Sequence, residues 1–161
     1  MDSLIVYHGT NALFDKADLT KARASRDFGR GFYTTTISSQ AESWARSIAA
    51  RRLTGEALVN VYEMSFYEGL SIKRFEGLTV EWLDFVRDNR IDGGTVHDFD
   101  VVVGPVADDS TLLTVNRYMQ GVYTSGEALA RLAYSKSNDQ VSLHTERALE
   151  CLKFIRRYRV E

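Results

Sequence analysis

The chain has 161 residues, the length of one domain, and its 44% apolar and 11% aromatic content suffices for a real core, so one compact domain is the default. Its formal charge of −2, from 20 Lys and Arg against 22 Asp and Glu, excludes a global field that would gather nucleic acid or an anionic membrane surface. A single cysteine, Cys151, excludes an intramolecular disulfide and a multi-cysteine metal site, and no run approaches the roughly 20 apolar residues of a membrane-spanning helix. The apolar run within residues 1–10 is too short for the core of a secretory leader. A soluble, cytoplasmic protein is therefore expected unless a dedicated export system carries it.

Leu4 to His8 reads as the first strand, ending in the turn His8-Gly9-Thr10. Residues 9 to 30 are polar and without period, a stretch suited to wrap over whatever that strand presents. After Tyr33, Ser38 or Ser39 can cap a helix through Trp44, Ile48 and Leu53 to Gly55. Ala41, Ala45 and Ala49 follow its period, and Arg51 and Arg52 lie where the helix dipole favours cations. Ala57 to Phe66 alternates as a strand does and Leu70 to Phe75 adds a short second one, so a hairpin or meander is expected there. Thr79 to Arg90 carries Val80, Leu83 and Val86 at helical spacing, with Thr79 as cap and Gly93-Gly94 beyond its end. Asp100 to Val103 reads as a buried strand closed by Gly104-Pro105. Asp108 or Asp109 can cap a helix through Leu112, Leu113, Val115 and Met119 to Gly121, and Ser125 another over Ala128 to Tyr134. A polar loop at 135–139 leads to the strand Gln140 to Thr145, a short helix through Leu149 and a last strand from Leu152 to Val160. Neither a repeat nor a linker interrupts the series, and the order of elements predicts one α+β domain over 1–161.

Two short motifs carry the chemistry. His8-Gly9-Thr10 ends a strand, and Asp27-Phe28-Gly29-Arg30-Gly31-Phe32-Tyr33 follows it. Glycines at 29 and 31 let the backbone approach a flat ligand closely, and an aromatic ring comes directly after to stack on it. In this order, with a late strand headed by Gln140, the pair resembles the ADP-ribosyltransferase superfamily, in its branch with a His-Tyr-Glu type triad. The glycine motif, the run from Asp98 to Asp109 and the run from Gln140 to Thr145 look like a bacterial family of unknown function within that clan. The likeness covers nearly the whole chain.

The resemblance implies split sheets, mixed and antiparallel, with flanking helices around an NAD cleft, and a mono-ADP-ribosyltransferase that takes NAD as co-substrate and needs no metal. Cleavage between nicotinamide and ribose creates an oxocarbenium-like centre, so such a site holds the ring still, fixes the ribose hydroxyls and stabilises positive charge. By resemblance His8 would bond a ribose hydroxyl, the Gly9 backbone would meet the nicotinamide carboxamide, and Thr10 would support the turn. Tyr33 would stack on the ring, with Gly29 and Gly31 shaping its approach, and Arg23, Arg26 and Arg30 would offer guanidinium groups to the diphosphate. Trp44 stands where a second aromatic faces the first in this branch, and it reads equally as a core residue of an amphipathic helix. Gln140 takes the place of the usual glutamate: it can accept a hydrogen bond from a hydroxyl but brings neither charge nor base. A glutamate at 140 is expected to preserve or raise NAD cleavage. Lys136 and Asn138, in the loop before it, would contact the acceptor. The implied activity passes ADP-ribose to a macromolecule, a protein rather than a nucleic acid, in a toxin-like or defence setting beside a small partner or antitoxin protein. An NAD glycohydrolase and a non-catalytic NAD-binding module are the alternatives that Gln140 keeps open.

The other chemistry-bearing residues read as structure. His97 and His144 share no helical face with His8 and lack cysteine support, so no metal site is expected. Asp27 suits a turn tie, and Asp100, Asp108 and Asp109 suit turn closure and capping. Cys151 suits apolar packing, and Lys153, Arg156, Arg157 and Arg159 a solvated strand edge. Asp139 should point to the face opposite Gln140.

Overall fold

Alternating and continuous apolar runs build two sheets, and a computed structural model describes them over residues 3–22, 26–53, 55–92, 97–107, 111–133 and 138–161. In chain order the elements are β1 (Ser3–Thr10), β2 (Phe32–Thr34), α1 (Ser38–Arg52), β3 (Leu58–Ser65), β4 (Ile72–Arg74), α2 (Val80–Asp92), β5 (Val101–Gly104), α3 (Leu112–Met119), α4 (Ser125–Leu132), β6 (Gln140–Leu143), α5 (Glu146–Leu149) and β7 (Leu152–Arg159). The first sheet has the order β1-β3-β7 and is antiparallel throughout. The second has the order β2-β6-β5-β4, antiparallel except that β4 and β5 run parallel. The result is one α+β domain.

Side-chain alternation assigns the faces. On β3, Val59 and Val61 face α1 with Ala41 and Ala45, while Tyr62 and Met64 join Val6, Phe32 and Leu143 in the core between the sheets. On β5, Val101 enters that core and Val102 enters the one under α2, α3 and α4, with Trp82, Leu83 and Leu132. A strand buried on both faces needs no polar alternation, which explains the unbroken valine run.

The expected hairpin between β3 and β4 is absent: β4 lies in the other sheet, beside β5. The reason is a local knot of polar bonds. Ser71 accepts at its carbonyl from the Asp100 N–H (2.9 Å), while its own N–H donates to the Asp100 carboxylate (2.9 Å). Asp100 is 2% exposed and also accepts from Thr145 Oγ1 (2.6 Å) and the Arg147 guanidinium. Arg147 above all, with Thr145 and Ser71, holds the Asp100 carboxyl well below the ordinary carboxylate range. Its contribution to stability is therefore fully present above that range and is lost progressively as pH falls through it into strong acid.

Helix ends differ from expectation in three places. Ile37 rather than Ser38 or Ser39 is the N-cap of α1, and Thr35 Oγ1 accepts the Ile37 N–H. Thr124, not Ser125, caps α4, in a reciprocal capping box with Glu127. Thr79 caps α2 as expected, its Oγ1 accepting from the Trp82 N–H at 3.2 Å. Thr111, not Asp108 or Asp109, is the N-cap of α3; Asp108, Asp109 and the glycines at 93 and 94 themselves lie outside the described residues.

Candidate functional site

His8 and Tyr33 are brought together by one bridge between the sheets. Tyr7 and Thr35 exchange both backbone hydrogen bonds, at 2.8 and 3.0 Å, so the end of β1 runs antiparallel to the end of β2. One residue further on, the His8 ring stacks on Phe32 at 4.2 Å and its Nδ1 lies 2.6 Å from the Tyr33 carbonyl oxygen. Burial, with the Arg26 charge adding to it, pulls the His8 pKa down to about 4. The imidazole is therefore neutral at pH 7. A carbonyl only accepts, so the ring proton sits on Nδ1 and Nε2 keeps a lone pair for a hydroxyl donor.

Around His8 opens a cleft of about 560 Å³. β1 and the loop after it contribute Thr10 to Phe14, the glycine motif contributes Arg26 and Tyr33, and α1 contributes Trp44, Ser47 and Ile48. Five cations, Lys16, Lys21, Arg26, Arg51 and Arg52, line it against one carboxylate, Asp18, which is taken up by the N–H and hydroxyl of Thr20. In a protein of net charge −2, this is a local concentration of positive potential. The far wall is pinned from the first sheet. Asn60 Nδ2 and the Arg157 guanidinium donate to the Phe14 carbonyl, and Tyr62 Oη donates to that of Asp15 at 2.9 Å. Arg157, expected on a solvated edge, thus braces Phe14 from the first sheet without itself lining the cleft.

The residues singled out from sequence fall into three groups. His8, Gly9, Thr10, Arg26, Gly31, Tyr33 and Trp44 line the cleft. Thr10 Oγ1 accepts from the Ala12 N–H at 3.1 Å and so closes the turn. Trp44 is half-buried and stands in the wall, not in the core. Arg26 lies over the Tyr33 ring at 4.2 Å, and Tyr33 is only 3% exposed. The Tyr33 hydroxyl donates to the Gly29 carbonyl (2.6 Å) and accepts from the Phe28 N–H (3.0 Å), and burial pushes its pKa above the ordinary phenol value. Gly29 takes a φ of 89° in this turn. Gly31 is required by space: a Cβ there would meet His144 Nδ1 at 2.6 Å.

In the second group, Arg30 and Gln140 lie outside the cleft wall. The Arg30 guanidinium turns back to the Ala22 carbonyl. Gln140 is 2% exposed, and its Nε2 donates to Asp27 Oδ2 (3.0 Å) and the Pro105 carbonyl (3.2 Å). Asp27 in turn accepts from Arg90 and from the Ala107 N–H (2.8 Å). Rather than closing its own turn, Asp27 ties the glycine motif to α2, β5 and β6. Asp139 points the other way, to Thr35 and Thr36. Asn138 holds the Val106 N–H at 2.9 Å beside a separate cavity. The third group, Arg23 and Lys136, lies outside the described residues.

A family model described as a protein of unknown function, DUF3990, matches residues 4–154. The chain belongs to the DUF3990 family. No curated protein and no solved structure matches it.

In this DUF3990 protein the cleft cations missed by sequence reasoning are Lys16, Lys21, Arg51 and Arg52. Arg51 and Arg52 carried a legible signal: with Trp44 and Ile48 they follow the spacing i, i+4, i+7 and i+8, one face of a helix. Among the described residues no group of His, Cys, Asp and Glu could hold a metal ion.

All three histidines of the DUF3990 chain hold carbonyls of the glycine motif. His8 holds Tyr33, His97 Nε2 holds Phe28 at 2.7 Å, and His144 Nδ1 holds Arg30 at 2.8 Å. Burial lowers the His97 pKa and brings that of His144 down to about 4, the neighbouring His97 ring adding to the effect. Depressed histidines give stability that is fully present above about 6.5 and lost as pH falls toward the folded-state values. The urea midpoint is therefore expected to fall between pH 7 and pH 4.5, before Asp100 begins to protonate, and His144→Gln should flatten part of that slope. A midpoint constant over this range would show that the histidines are not held neutral.

Proposed function

We propose that this protein binds NAD in the cleft beside His8 and transfers ADP-ribose from it to a macromolecular acceptor, releasing nicotinamide. The observation that carries the reading is a single wall that combines a neutral imidazole acceptor, two aromatic residues and a set of cations, the polar, flat and anionic parts of a dinucleotide. His8 Nε2 would take the ribose hydroxyl, Tyr33 and Trp44 would flank the nicotinamide ring, and Arg26 would turn from the Tyr33 face toward the diphosphate. The resemblance of the two motifs to ADP-ribosyltransferases supports a transferase, with a protein acceptor and a small inhibitory partner as its setting.

A second reading, an NAD-binding module without turnover, is favoured by one observation. Gln140, the residue standing for the family glutamate, spends its amide nitrogen on Asp27 and Pro105 and is absent from the cleft wall. The experiment that separates them is calorimetry with NAD, followed by labelled NAD in whole lysate. Label on polymer means transfer, free ADP-ribose means hydrolysis, and binding without either means the module. His8→Ala and Trp44→Leu should each weaken NAD about three- to tenfold through one lost hydrogen bond or one lost stacking partner. Trp44→Leu should fold normally, since the residue is only half-buried. No heat and no shift in melting temperature at millimolar NAD would overturn the proposal, because a ligand that binds only the folded state must stabilise it.

A further inference from the structure

Arg51 and Arg52 end α1 on the face that carries Trp44 and Ile48, about two turns or roughly 10 Å beyond Trp44 along the helix. Helix-dipole compensation explains a cation at this end. It does not explain two that both line the cleft. Arg46, outside the wall, pairs with Glu42, and Arg159 pairs with Glu56. Among the described residues Arg51, Arg52, Lys16 and Lys21 have no carboxylate partner, and Arg51 bonds only the Ser47 carbonyl of its own helix, at 3.3 Å.

The charge count points the same way. A dinucleotide diphosphate brings one negative charge per phosphate, offset in part by the positive nicotinamide ring, so Arg26 with one lysine answers it. Arg51 and Arg52 are surplus to that need, and they line the same cleft about two helical turns from Trp44. Resting on the reading of the cleft as an NAD site, we infer that Arg51 and Arg52 form a separate phosphate subsite and that the ligand is NAD phosphorylated on its adenosine ribose. A phosphate monoester carries about −1.5 to −2 charges at pH 7 and three acceptor oxygens, which two guanidinium forks fit well.

The test is the ratio of two affinities measured by calorimetry on the same protein, for NAD and for its 2′-phosphorylated form. The phosphorylated form should bind on the order of tenfold more tightly in low salt, a preference that shrinks as salt rises. In the double variant Arg51→Gln/Arg52→Gln the ratio should drop to about one, whereas Arg46→Gln, outside the wall, should keep it. Circular dichroism checks that each variant is folded. If wild type binds both forms equally, the inference is overturned while the NAD reading stands. If the preference survives in the double variant, the assignment to Arg51 and Arg52 is overturned. If neither form binds, the NAD reading fails and this inference with it.

Discussion

Gln140→Glu is expected to destabilise the protein by roughly 3–5 kcal/mol at pH 7, the cost of an uncompensated buried charge. This reverses the expectation from sequence, where a glutamate would restore the family residue. The amide nitrogen of Gln140 faces two acceptors, Asp27 Oδ2 at 3.0 Å and the Pro105 carbonyl at 3.2 Å. A carboxylate oxygen in its place would have to take up a proton or push the glycine motif away. Gln140→Ala removes the donor without adding charge and should cost less, about 1–3 kcal/mol for two acceptors left short. The pH dependence supplies the sign. A glutamate held against Asp27 has its pKa raised, so the deficit of Gln140→Glu relative to wild type should shrink as pH falls from 7 to 5, where the acid can donate as the amide did. Urea unfolding of wild type and both variants at the two pH values reads this directly. A Gln140→Glu protein as stable as wild type at pH 7 would mean that the side chain reaches solvent, and would return residue 140 to the candidates for catalysis.

Gly9→Ala should be the most damaging change on β1. A Cβ at residue 9 would lie 2.2 Å from the Ala41 carbonyl oxygen and 2.9 Å from the Ala45 nitrogen, both backbone atoms of α1. No side chain can rotate to make room, so the helix must move off the strand, at a cost at or above the top of the 1–3 kcal/mol typical of overpacking. The movement bears on function because β1 carries His8 and α1 carries Trp44, Arg51 and Arg52 on opposite sides of that contact. NAD binding should therefore be lost even where the variant still folds. Gly126→Ala is the matched control: it lies on the exposed face of α4, the nearest atom to an added Cβ is 4.0 Å away, and the change should stabilise by about 0.5–1 kcal/mol. Unchanged denaturant midpoint and ligand affinity in Gly9→Ala would show that the contact between β1 and α1 is looser than described.

Much of this protein was legible in its sequence. The helices α1 to α5 and every strand except β2 follow from apolar period, β-branched runs and capping residues, signals that act within a few positions of the chain; β2 is three residues long, too short to show a period, and forms by pairing with β6. The nearness of His8 to Tyr33 was legible through a family pattern, and the faces of Asp139 and Gln140 through strand alternation. Partners across the fold were another matter. Nothing local to Leu70–Phe75 says that it will leave β3 and run beside β5, because that choice is made by the bonds between Ser71 and Asp100, 29 residues apart. Nor does the glycine motif reveal that Arg26 turns into the cleft and Arg30 away from it, or that Asp27 is spoken for by Arg90 and Gln140. Residue types and their period determined by themselves which segments other than β2 form elements and which side of each is apolar. The tertiary structure alone decided what faces each polar group, because a hydrogen-bond partner distant in sequence is set by how the sheets and helices pack.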